Sequence, residues 1–488
     1  MGSRIAGEVG ELTPQLSSGR EKGFSGQIAR EEADDNNVAA EDVNNGGVFS
    51  QKTQQIVSSL LWQGGTAFDA WFNAASTQVA QVLLTFPYSF AQMGVASGIF
   101  FQVFYGLVGC WTCFMITSLY ADYRKAKERE IQKNHTIQWF EVLDGLLGKR
   151  WKLAGLIFNT ALLFCTASIQ LIACGSTVYY INSSLSKRTW TLIFGASFVS
   201  TIFIPTIHNY RIWSLIGIIM TTYTAWYLTI AAATHGQIKN VQHSHKHDLV
   251  QYFTGATNQL YAFGGHAITV EIMHAMWKPR KFKSVYLYAI LYIFTLTIPS
   301  ATTVYWAFGD ILLQNSNALS VFPRTRFRDA AVVLMLMHQL IVFGIIAIPV
   351  YLLWEKALGI HLSKNFLLRT VFRIPVVLSI WFVSLMIPFF GPINSAVGSL
   401  LVTFSVYIIP CSAHMIYYRS STARQNAVEQ PPFFIRSWTL MYVINAFIIV
   451  CVLVLGVGFG GWASITNIVR QVHTFGLFAK CFQCPKKS

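Results

Sequence analysis

Three ionisable side chains lie in one long apolar stretch of the sequence, YFTGATNQLYAFGGHAITVEIMHAM, which covers residues 252–276. They are His266, Glu271 and His274. Histidine titrates near neutrality and can donate a hydrogen bond to a carboxylate. The stretch is long enough to span a bilayer, where a charge at the centre of a helix costs roughly 2.5–3.5 kcal/mol. Such groups persist in lipid only if they face a protein interior or a water-filled cavity, as they do in the binding sites of secondary transporters.

A glycine pair, Gly264–Gly265, directly precedes His266. Because glycine weakens a helix and the pair lies near the middle of the stretch, the sequence predicts a broken helix here. We interpret Gly264, Gly265 and His266 as substrate-binding residues, and His266 also as the proton-coupling group. Phe263 and Tyr261 flank the break, where either ring could stack on an aromatic substrate.

Other charged residues fall near the predicted cytosolic ends of spans. Glu271 and His274 lie one helical turn apart, and we expect a structural ion pair or a gate from them. For Asp69 and Glu355, a gating ion pair and simple solvation at the interface both fit. We therefore assign Asp69, Glu271 and His274, together with His266, to gating or proton coupling.

A polar stripe runs along the first predicted span, in which every fourth residue is polar: Asn73, Thr77, Gln81, Thr85 and Ser89. Hydrogen bonding between helices is the simpler explanation of the stripe. Alternatively, the chain unwinds around Ala80, Gln81 and Val82, opposite the glycine pair, and its free backbone N–H groups hold an anionic group of a substrate. Gln170 and Asn394 are isolated polar residues in two other apolar runs and are further candidates for substrate contact.

Sequence patterns typical of metal sites and of enzymes are weak or absent. The only Glu-x-x-His pair in a span is Glu271 with His274, whereas a di-iron bundle needs two such pairs and further carboxylates. One CxxC pair, Cys481 and Cys484, falls short of four zinc ligands, and a disulfide or a lipidation site is equally open. We find no nucleophile–base pair and no phosphate-binding loop. The sequence therefore predicts no enzyme, no metal site and no cofactor other than a coupling proton.

The composition predicts a protein that crosses a membrane many times. Of the 488 residues, 53% are hydrophobic and 12% are charged, and mean hydropathy is +0.45. The net charge of +15 does not require nucleic acid as a partner, because basic residues of membrane proteins gather in cytoplasmic loops and meet anionic lipid. We expect membrane lipids, protons and a small molecule as partners, and we make no prediction of a trafficking partner.

Eleven apolar segments are long enough to span the membrane, and they fall at 71–94, 95–122, 151–181, 190–207, 211–234, 250–275, 284–309, 328–354, 371–389, 392–417 and 438–460. The first two meet at Gly94, which indicates a tight reversal. The first ten divide into two sets of five, residues 71–234 and 250–417. Because five is odd, the second set enters from the opposite side, as an inverted repeat requires.

These segments divide the chain into a disordered tail, a transmembrane domain and a short second tail. Residues 1–56 are polar and too poor in apolar groups to form a core, so we predict a disordered cytosolic tail. Residues 57–461 form the transporter domain, which includes an extra helix at 438–460. Residues 462–488 form the C-terminal tail.

The distribution of basic residues predicts the orientation. With the N-terminus in the cytosol, the cytosolic loops hold 20 Lys and Arg residues, against 11 in the outer loops and C-terminal tail. The positive-inside rule therefore favours a cytosolic N-terminus and an extracellular C-terminus. The sequon at Asn182 then faces outward and could be glycosylated, whereas the sequon at Asn134 faces inward.

Several sequence runs closely resemble the auxin influx carriers of plants, a branch of the amino acid/auxin permease superfamily. They are LLTFPYSFAQMG, YAFGGHAITVEIMHAMWKP, IPTIHNYRIWS, FFGPINSAVG, GFGGWASITN, IQWFEVLDGLLG and MTTYTAWYL. The resemblance runs from about residue 62 to residue 484.

This resemblance implies an all-α polytopic protein of eleven helices, with two inverted five-helix repeats (LeuT-like), one C-terminal helix, and breaks in helices 1 and 6. It also implies proton-driven import of indole-3-acetic acid across the plasma membrane. The substrate carboxylate would then meet residues 80–82 and the side chain of His266. An amino-acid/proton symporter of the same superfamily and a non-transporting receptor are the alternatives.

Overall fold

The computed structural model describes residues 65–127, 136–204, 210–243, 248–363 and 365–484, and these ranges contain helices and no strand. The predicted disordered tail, residues 1–56, lies outside the described residues, as do Asn134, His245 and His247.

The helices are named here in chain order. They are α1 (Ala67–Val79), α2 (Val82–Met93), α3 (Val95–Lys127), α4 (Trp139–Leu147), α5 (Lys149–Val178), α6 (Lys187–Phe198), α7 (Arg211–His235), α8 (Leu249–Ala262), α9 (Thr269–His274), α10 (Phe282–Phe308), α11 (Arg326–Ala357), α12 (Phe366–Met386), α13 (Pro392–Tyr417), α14 (Ser421–Asn426) and α15 (Trp438–Phe475). Short 3₁₀ turns occur at Val199–Phe203, Gly265–Ile268, Pro279–Lys281, Gly309–Gln314 and Ala318–Ser320.

Eight continuous helical segments within the described ranges are long and apolar enough to cross a membrane. The other three predicted spans correspond to segments that are interrupted: α1 with α2, α6 with its 3₁₀ extension, and α8 with α9. The all-helical multi-pass fold is confirmed, and so are the breaks in the first and sixth spans. The total of eleven crossings stays a prediction.

The first break lies where α1 ends and α2 begins. Ala80 has φ 21° and ψ −141°, a conformation that is rare for a residue with a Cβ and therefore strained. Its N–H reaches back to Ser76, and hydrogen bonding resumes from Leu84 to Gln81. Helix α2 continues through Pro87, and the break lies upstream of it, where unwinding around Ala80, Gln81 and Val82 was predicted.

The second break separates α8 from α9, and the glycine pair occupies it with a 3₁₀ turn. A Cβ on Gly264 would lie 2.9 Å from the carbonyl of Tyr261, and a Cβ on Gly265 would lie 2.2 Å from Gln78 Oε1. Glycine is therefore required at Gly264, where a Cβ would meet backbone, whereas at Gly265 the Gln78 side chain would have to move. The break frees backbone carbonyls, which must find new donors. Gln78 donates to Ala262 at 3.3 Å, and Asn159 donates to Ala267 at 3.1 Å.

The two broken segments form the centre of the molecule. Helix α8 packs against α2, α13 and α15, and α10 packs against α1 and α2. Every residue of α2 is buried, which places this helix wholly within protein. At Gly94 the chain ends α2 with φ 81° and begins α3, and Phe90 packs against Gly98. The two helices are therefore separate and meet in a turn, as the predicted reversal at this glycine requires.

The C-terminal helix differs from its prediction. The sequence argument ended it at residue 460 and began the tail at 462, but α15 continues to Phe475. It passes the glycine-rich stretch Leu453–Gly461 in π-helical geometry. Beyond Trp462 the helix buries Ala463 and Ser464 and exposes both apolar residues, such as Ile465 and Val469, and polar ones. A search for continuous apolar runs therefore misses this part.

Helix α4 was also missed, because the sequence argument treated residues 139–147 as loop. It is short and amphipathic, and it buries Trp139, Phe140, Val142 and Leu143. The carboxylate of Glu141 begins it by accepting from the backbone N–H of Gln138 at 2.9 Å.

Candidate functional site

A small cavity lies between the two helix breaks. Six of the predicted binding residues line it: Ala80, Gln81, Val82, Gln170, Gly264 and Gly265. Its volume is about 40 Å³, enough for a few water molecules, whereas sites for small organic ligands typically measure about 300 Å³ or more. The site is therefore contracted, and an organic substrate requires it to widen.

Polar groups of three segments meet beside the first break. Gln81 Nε2 donates to the hydroxyl of Tyr261 at 3.1 Å, and Asn394 Nδ2 donates to Gln81 Oε1 at 3.3 Å. All three residues are buried. These bonds fix the side chain at the start of α2 to α8 and α13, so that the strained turn at Ala80 has support from both.

The start of α2 lies at the cavity. The first N–H groups of any helix lack intrahelical partners, and the helix dipole favours negative charge there. Gln81, the residue before α2, makes no side-chain bond to them. With Gln81 and Val82 lining the cavity, this end of α2 can receive a carboxylate.

His266 does not line the cavity in this structure. Its Nε2 lies 2.8 Å from the carbonyl oxygen of Gly109 and 3.1 Å from the hydroxyl of Thr112, both on α3. Its Nδ1 lies 3.4 Å from the hydroxyl of Tyr286 on α10. The imidazole is thus buried behind the second break, and its role as a substrate ligand stays a prediction.

One chain of hydrogen bonds connects His266 to the cavity. The Tyr286 hydroxyl lies between His266 Nδ1 and the amide of Gln78, whose Nε2 is 3.2 Å away and whose Oε1 is 3.4 Å away. Gln78 lines the cavity and is 4% exposed. His266 is therefore two side chains away from the space that a substrate would occupy.

Two other predicted ligands lie next to the cavity without lining it. Phe263 is fully buried and its ring packs edge-on against Phe294 at 5.9 Å. Asn394 does not line the cavity but donates a hydrogen bond to Gln81, which does. Gln170 does line the cavity, and its Oε1 is buried without a hydrogen-bond partner in the structure, which leaves an acceptor available there.

Sequence reasoning missed several lining residues. They are Gln78, Thr166, Leu162, Leu163, Ile268, Ile346 and Val402, with Ala262 and Ala267 from the second break. Thr77 and Tyr261 were noted in the sequence without being assigned to the site, and both line the cavity. Gln78 carried a usable signal, because it is a polar residue two positions before Ala80, but it lies off the four-residue stripe.

The polar stripe of the first span divides between two surroundings. Asn73 Oδ1 accepts a bond of 2.6 Å from Ser214 on α7, and Ser89 accepts one of 2.5 Å from Asn258 on α8. These two residues hold helices together. Thr77 and Gln81 instead line the cavity.

Two of the predicted gating residues, Glu271 and His274, bond to different neighbours. Glu271 Oε1 accepts a hydrogen bond of 3.4 Å from Gln138, which also donates to the carbonyl of Pro349 at 3.1 Å. His274 Nδ1 lies 3.4 Å from the hydroxyl of Tyr120. The residue before α4 thus ties α9 to α11, while an ion pair between Glu271 and His274 stays a prediction.

Asp69 forms an ion pair with Arg211, at 2.5 Å between Oδ1 and Nε. The other oxygen, Oδ2, accepts from the backbone of Gly65 and Thr66 at the start of α1. The pair joins the start of α1 to the start of α7, as the proposal of a gating ion pair at this position requires.

Glu355 is completely buried and forms two ion pairs. Its Oε2 accepts from Arg369 at 2.7 Å and its Oε1 from Arg373 at 2.6 Å. Arg373 also donates to the carbonyl of Ile202 at 2.8 Å. Glu355 is therefore paired and not solvated, and a gating function of these ion pairs stays a prediction.

The predicted disulfide alternative for the CxxC pair is present, because Cys481 and Cys484 are joined. At the glycosylation candidate, Asn182 and Ser184 are both exposed. Glycosylation of Asn182 itself stays a prediction.

Comparison with known proteins agrees with this architecture. The family described as transmembrane amino acid transporter protein matches residues 63–455. Auxin transporter-like protein 1 of Arabidopsis thaliana is 63% identical over 94% of this chain and 93% of its own length. Auxin transporter protein 1 of the same plant is 64% identical, over 88% and 90%. Auxin transporter-like protein 2 of Oryza sativa subsp. japonica is 60% identical, over 92% of each.

A solved structure shares the fold. The crystal structure of MhsT in complex with L-phenylalanine aligns with 81% of this chain and 99% of its own chain, at a TM-score of 0.57 and 13% identity. At this identity the likeness concerns the fold alone. The family match and the identities to the curated relatives show that the chain belongs to the transmembrane amino acid transporter family of membrane transporters and, within it, to the branch of auxin transporter and auxin transporter-like proteins.

Proposed function

We propose that this chain imports the auxin indole-3-acetic acid, together with a proton, across the plasma membrane by alternating access. The names of its relatives support the substrate class. The observation that carries the proposal is the cavity between the two breaks, where the N-terminal end of α2 faces apolar and amide side chains. This arrangement suits a molecule with one carboxylate and an apolar ring.

The second break favours an indole acid over an amino acid. An amino acid carries an ammonium group, for which the free carbonyls of a broken helix are suitable acceptors. Here the carbonyls of Ala262 and Ala267 already accept from Gln78 and Asn159. Among the described residues that line the cavity, none is acidic. Competition by neutral amino acids tests the amino-acid alternative. An excess of a neutral amino acid should abolish uptake of indole-3-acetic acid only if the site accepts an ammonium group.

The proposed orientation has the N-terminus in the cytosol and the C-terminus outside. The Cys481–Cys484 disulfide supports an extracellular tail, because disulfides persist in oxidising compartments. The tail bonds to the segments after α5, α10 and α12, through Lys187, Ser316 and Met386. The span order puts these three segments on one side, opposite the predicted cytosolic loops.

Gradient-driven uptake tests the function. Full-length protein in liposomes, with acid outside, is expected to accumulate labelled indole-3-acetic acid above the passive entry measured in empty liposomes, and a protonophore is expected to abolish the excess. His266→Ala is expected to lose most of the gradient-dependent part, because histidine is the side chain that titrates near neutrality. Binding without accumulation by the unaltered protein would favour a receptor, and uptake by His266→Ala with unchanged pH dependence would remove His266 from the proposal.

A further inference from the structure

The chain of hydrogen bonds from His266 to the cavity suggests how a proton could affect substrate binding without either touching the other. We infer that Tyr286 and Gln78 form a hydrogen-bond switch, which converts protonation of His266 into a hydrogen-bond donor for the substrate carboxylate. The inference rests on the proposed function and adds two positioning residues to it. The sequence analysis assigned a role to neither residue.

The surroundings of His266 set its hydrogen positions. A backbone carbonyl can only accept, so the 2.8 Å contact with Gly109 means that Nε2 of His266 carries a hydrogen. In the neutral imidazole, Nδ1 then has a lone pair directed at the Tyr286 hydroxyl, 3.4 Å away. Tyr286 donates to it.

The neutral state leaves Gln78 unsuited to an anion. Its Nε2 donates to the Tyr286 hydroxyl at 3.2 Å and to the carbonyl of Ala262 at 3.3 Å, which uses both amide hydrogens. The group left to face Gly265 is the amide oxygen, which lies 2.2 Å from where a Cβ of that residue would be. A carbonyl oxygen at the cavity wall repels a carboxylate.

Protonation reverses these bonds. When Nδ1 gains the proton, it becomes a donor to the Tyr286 oxygen, and the hydroxyl hydrogen must turn away from it. Gln78 Oε1, 3.4 Å from that hydroxyl, is the available acceptor. The Tyr286 oxygen is then engaged by the imidazolium. A half-turn of the Gln78 amide about its Cγ–Cδ bond places Oε1 against the hydroxyl and Nε2 at the cavity wall, where it can donate to a carboxylate, and the bond to the carbonyl of Ala262 is given up. The proton stays on His266 throughout, and the Gln78 amide is the only heavy-atom group that rotates.

The other titratable groups near this chain do not compete for the proton. Those that face Tyr286 are Tyr407 from α13 and Cys110 and Cys113 from α3. Tyrosine and cysteine ordinarily lose their protons above neutrality, so they are neutral when histidine titrates. On the same segment, Glu271 bonds to Gln138 instead. Linkage is reciprocal. If protonation of His266 raises the affinity of the site for the anion, the bound anion raises the affinity of His266 for a proton by the same factor.

The test compares two tyrosines of one helix. Tyr286→Phe removes the switching hydroxyl, whereas Tyr292→Phe removes a hydroxyl of α10 that bonds at 2.6 Å to Thr222 and does not reach His266. The KM for labelled indole-3-acetic acid is measured at acidic and neutral external pH with the full-length protein. For Tyr286→Phe we expect the KM at acidic pH to rise about ten-fold, the loss of one hydrogen bond linked to a charged group, with a small change in kcat.

The ratio of neutral to acidic KM is the decisive quantity. It should fall toward one in Tyr286→Phe and match the unaltered protein in Tyr292→Phe. A Tyr286→Phe protein with the unaltered ratio would overturn the switch and leave the proposed function intact, whereas the absence of gradient-driven uptake by the unaltered protein would overturn the proposed function. Should Tyr286→Phe fail to reach the membrane, Gln78→Met gives the same comparison, because it keeps the side-chain length and removes the amide oxygen and the amide nitrogen.

Discussion

Glu355 shows what a single buried charge does at the end of a span. Its carboxylate is held by the guanidinium groups of Arg369 and Arg373, and no part of Glu355 reaches solvent. Two charges taken out of water together are tolerable because each offsets the desolvation of the other, but one left alone is costly. The cluster joins α11, α12 and the turn after α6.

Neutralising this carboxylate is expected to destabilise the protein strongly. Glu355→Gln leaves Arg373, itself 2% exposed, without a counter-charge, and we expect a loss of about 3–5 kcal/mol in the free energy of unfolding. The matched control is Asp248→Asn, which breaks the exposed ion pair with Arg470 and should change stability by less than about 1 kcal/mol. Thermal unfolding of the two purified variants in one detergent measures the difference. Equal melting temperatures would contradict the assignment.

The residues of the site could be predicted in part. Polar spacing and the Gly264–Gly265 pair were sufficient to locate both breaks, because helix disruption and burial of polar groups are local properties of sequence. The direction of the His266 side chain was not accessible, because it depends on the 3₁₀ geometry of Gly265–Ile268, which turns the imidazole toward Gly109. Contacts between distant residues, such as Gln78 with Tyr286, leave no periodic signal.

At the scale of elements, α1 and α7 are joined at one end by Asp69 and Arg211. Arg211 is the first residue of α7, and Asp69 caps the first turn of α1 through Thr66. If α1 moves against its neighbours during transport, this ion pair must form and break. The pair should therefore favour the closed arrangement on that side.

Exchanging the two charges tests this role. Asp69→Arg alone is expected to lower uptake at least ten-fold, because it places two cations together and also removes the cap. The double variant Asp69→Arg with Arg211→Asp should recover part of the rate, since the attraction returns while the cap does not. Uptake and surface amount are measured together for the single and double variants. A double variant no better than the single one would show that the cap, and not the ion pair, is the essential contribution.

Helices were predictable from the sequence where their apolar residues form a continuous run, and were missed where the apolar residues are spaced. Helix α11 was predicted at residues 328–354 and extends over Arg326–Ala357. Helix α4 and the end of α15 were missed because their apolar residues are spaced rather than continuous.

At the scale of the whole molecule, the C-terminal tail is docked on the helical bundle. Lys187 is 7% exposed and its Nζ donates to the carbonyl of Phe482 at 2.7 Å. Gln483 Oε1 accepts from the Ser316 hydroxyl at 2.7 Å, and the ring of Phe482 packs against Phe389 at 5.3 Å. The tail therefore connects segments that follow α5, α10 and α12.

Removing the central contact should release the tail. In Lys187→Met the charge is lost while the apolar stem is kept, and we expect the tail to become susceptible to protease under conditions where it is protected in the unaltered protein. The control is Lys480→Met, which changes an exposed lysine of the tail whose backbone carbonyl, and not its side chain, bonds to Arg188. Mass spectrometry of the digested full-length proteins reads the cleavage. If the tail of Lys187→Met stays protected from protease, the aromatic contacts alone are enough to hold it on the bundle.

The contracted cavity has a consequence for any measured affinity. Only the fraction of molecules in which the space has widened can accept an indole ring, and the apparent dissociation constant equals the intrinsic one divided by that fraction. If about one molecule in a hundred is wide, the apparent affinity is about a hundred-fold weaker than the complementarity of the open site would give. Substitutions far from the cavity can then change affinity without altering a single contact, because they alter how often the molecule is open.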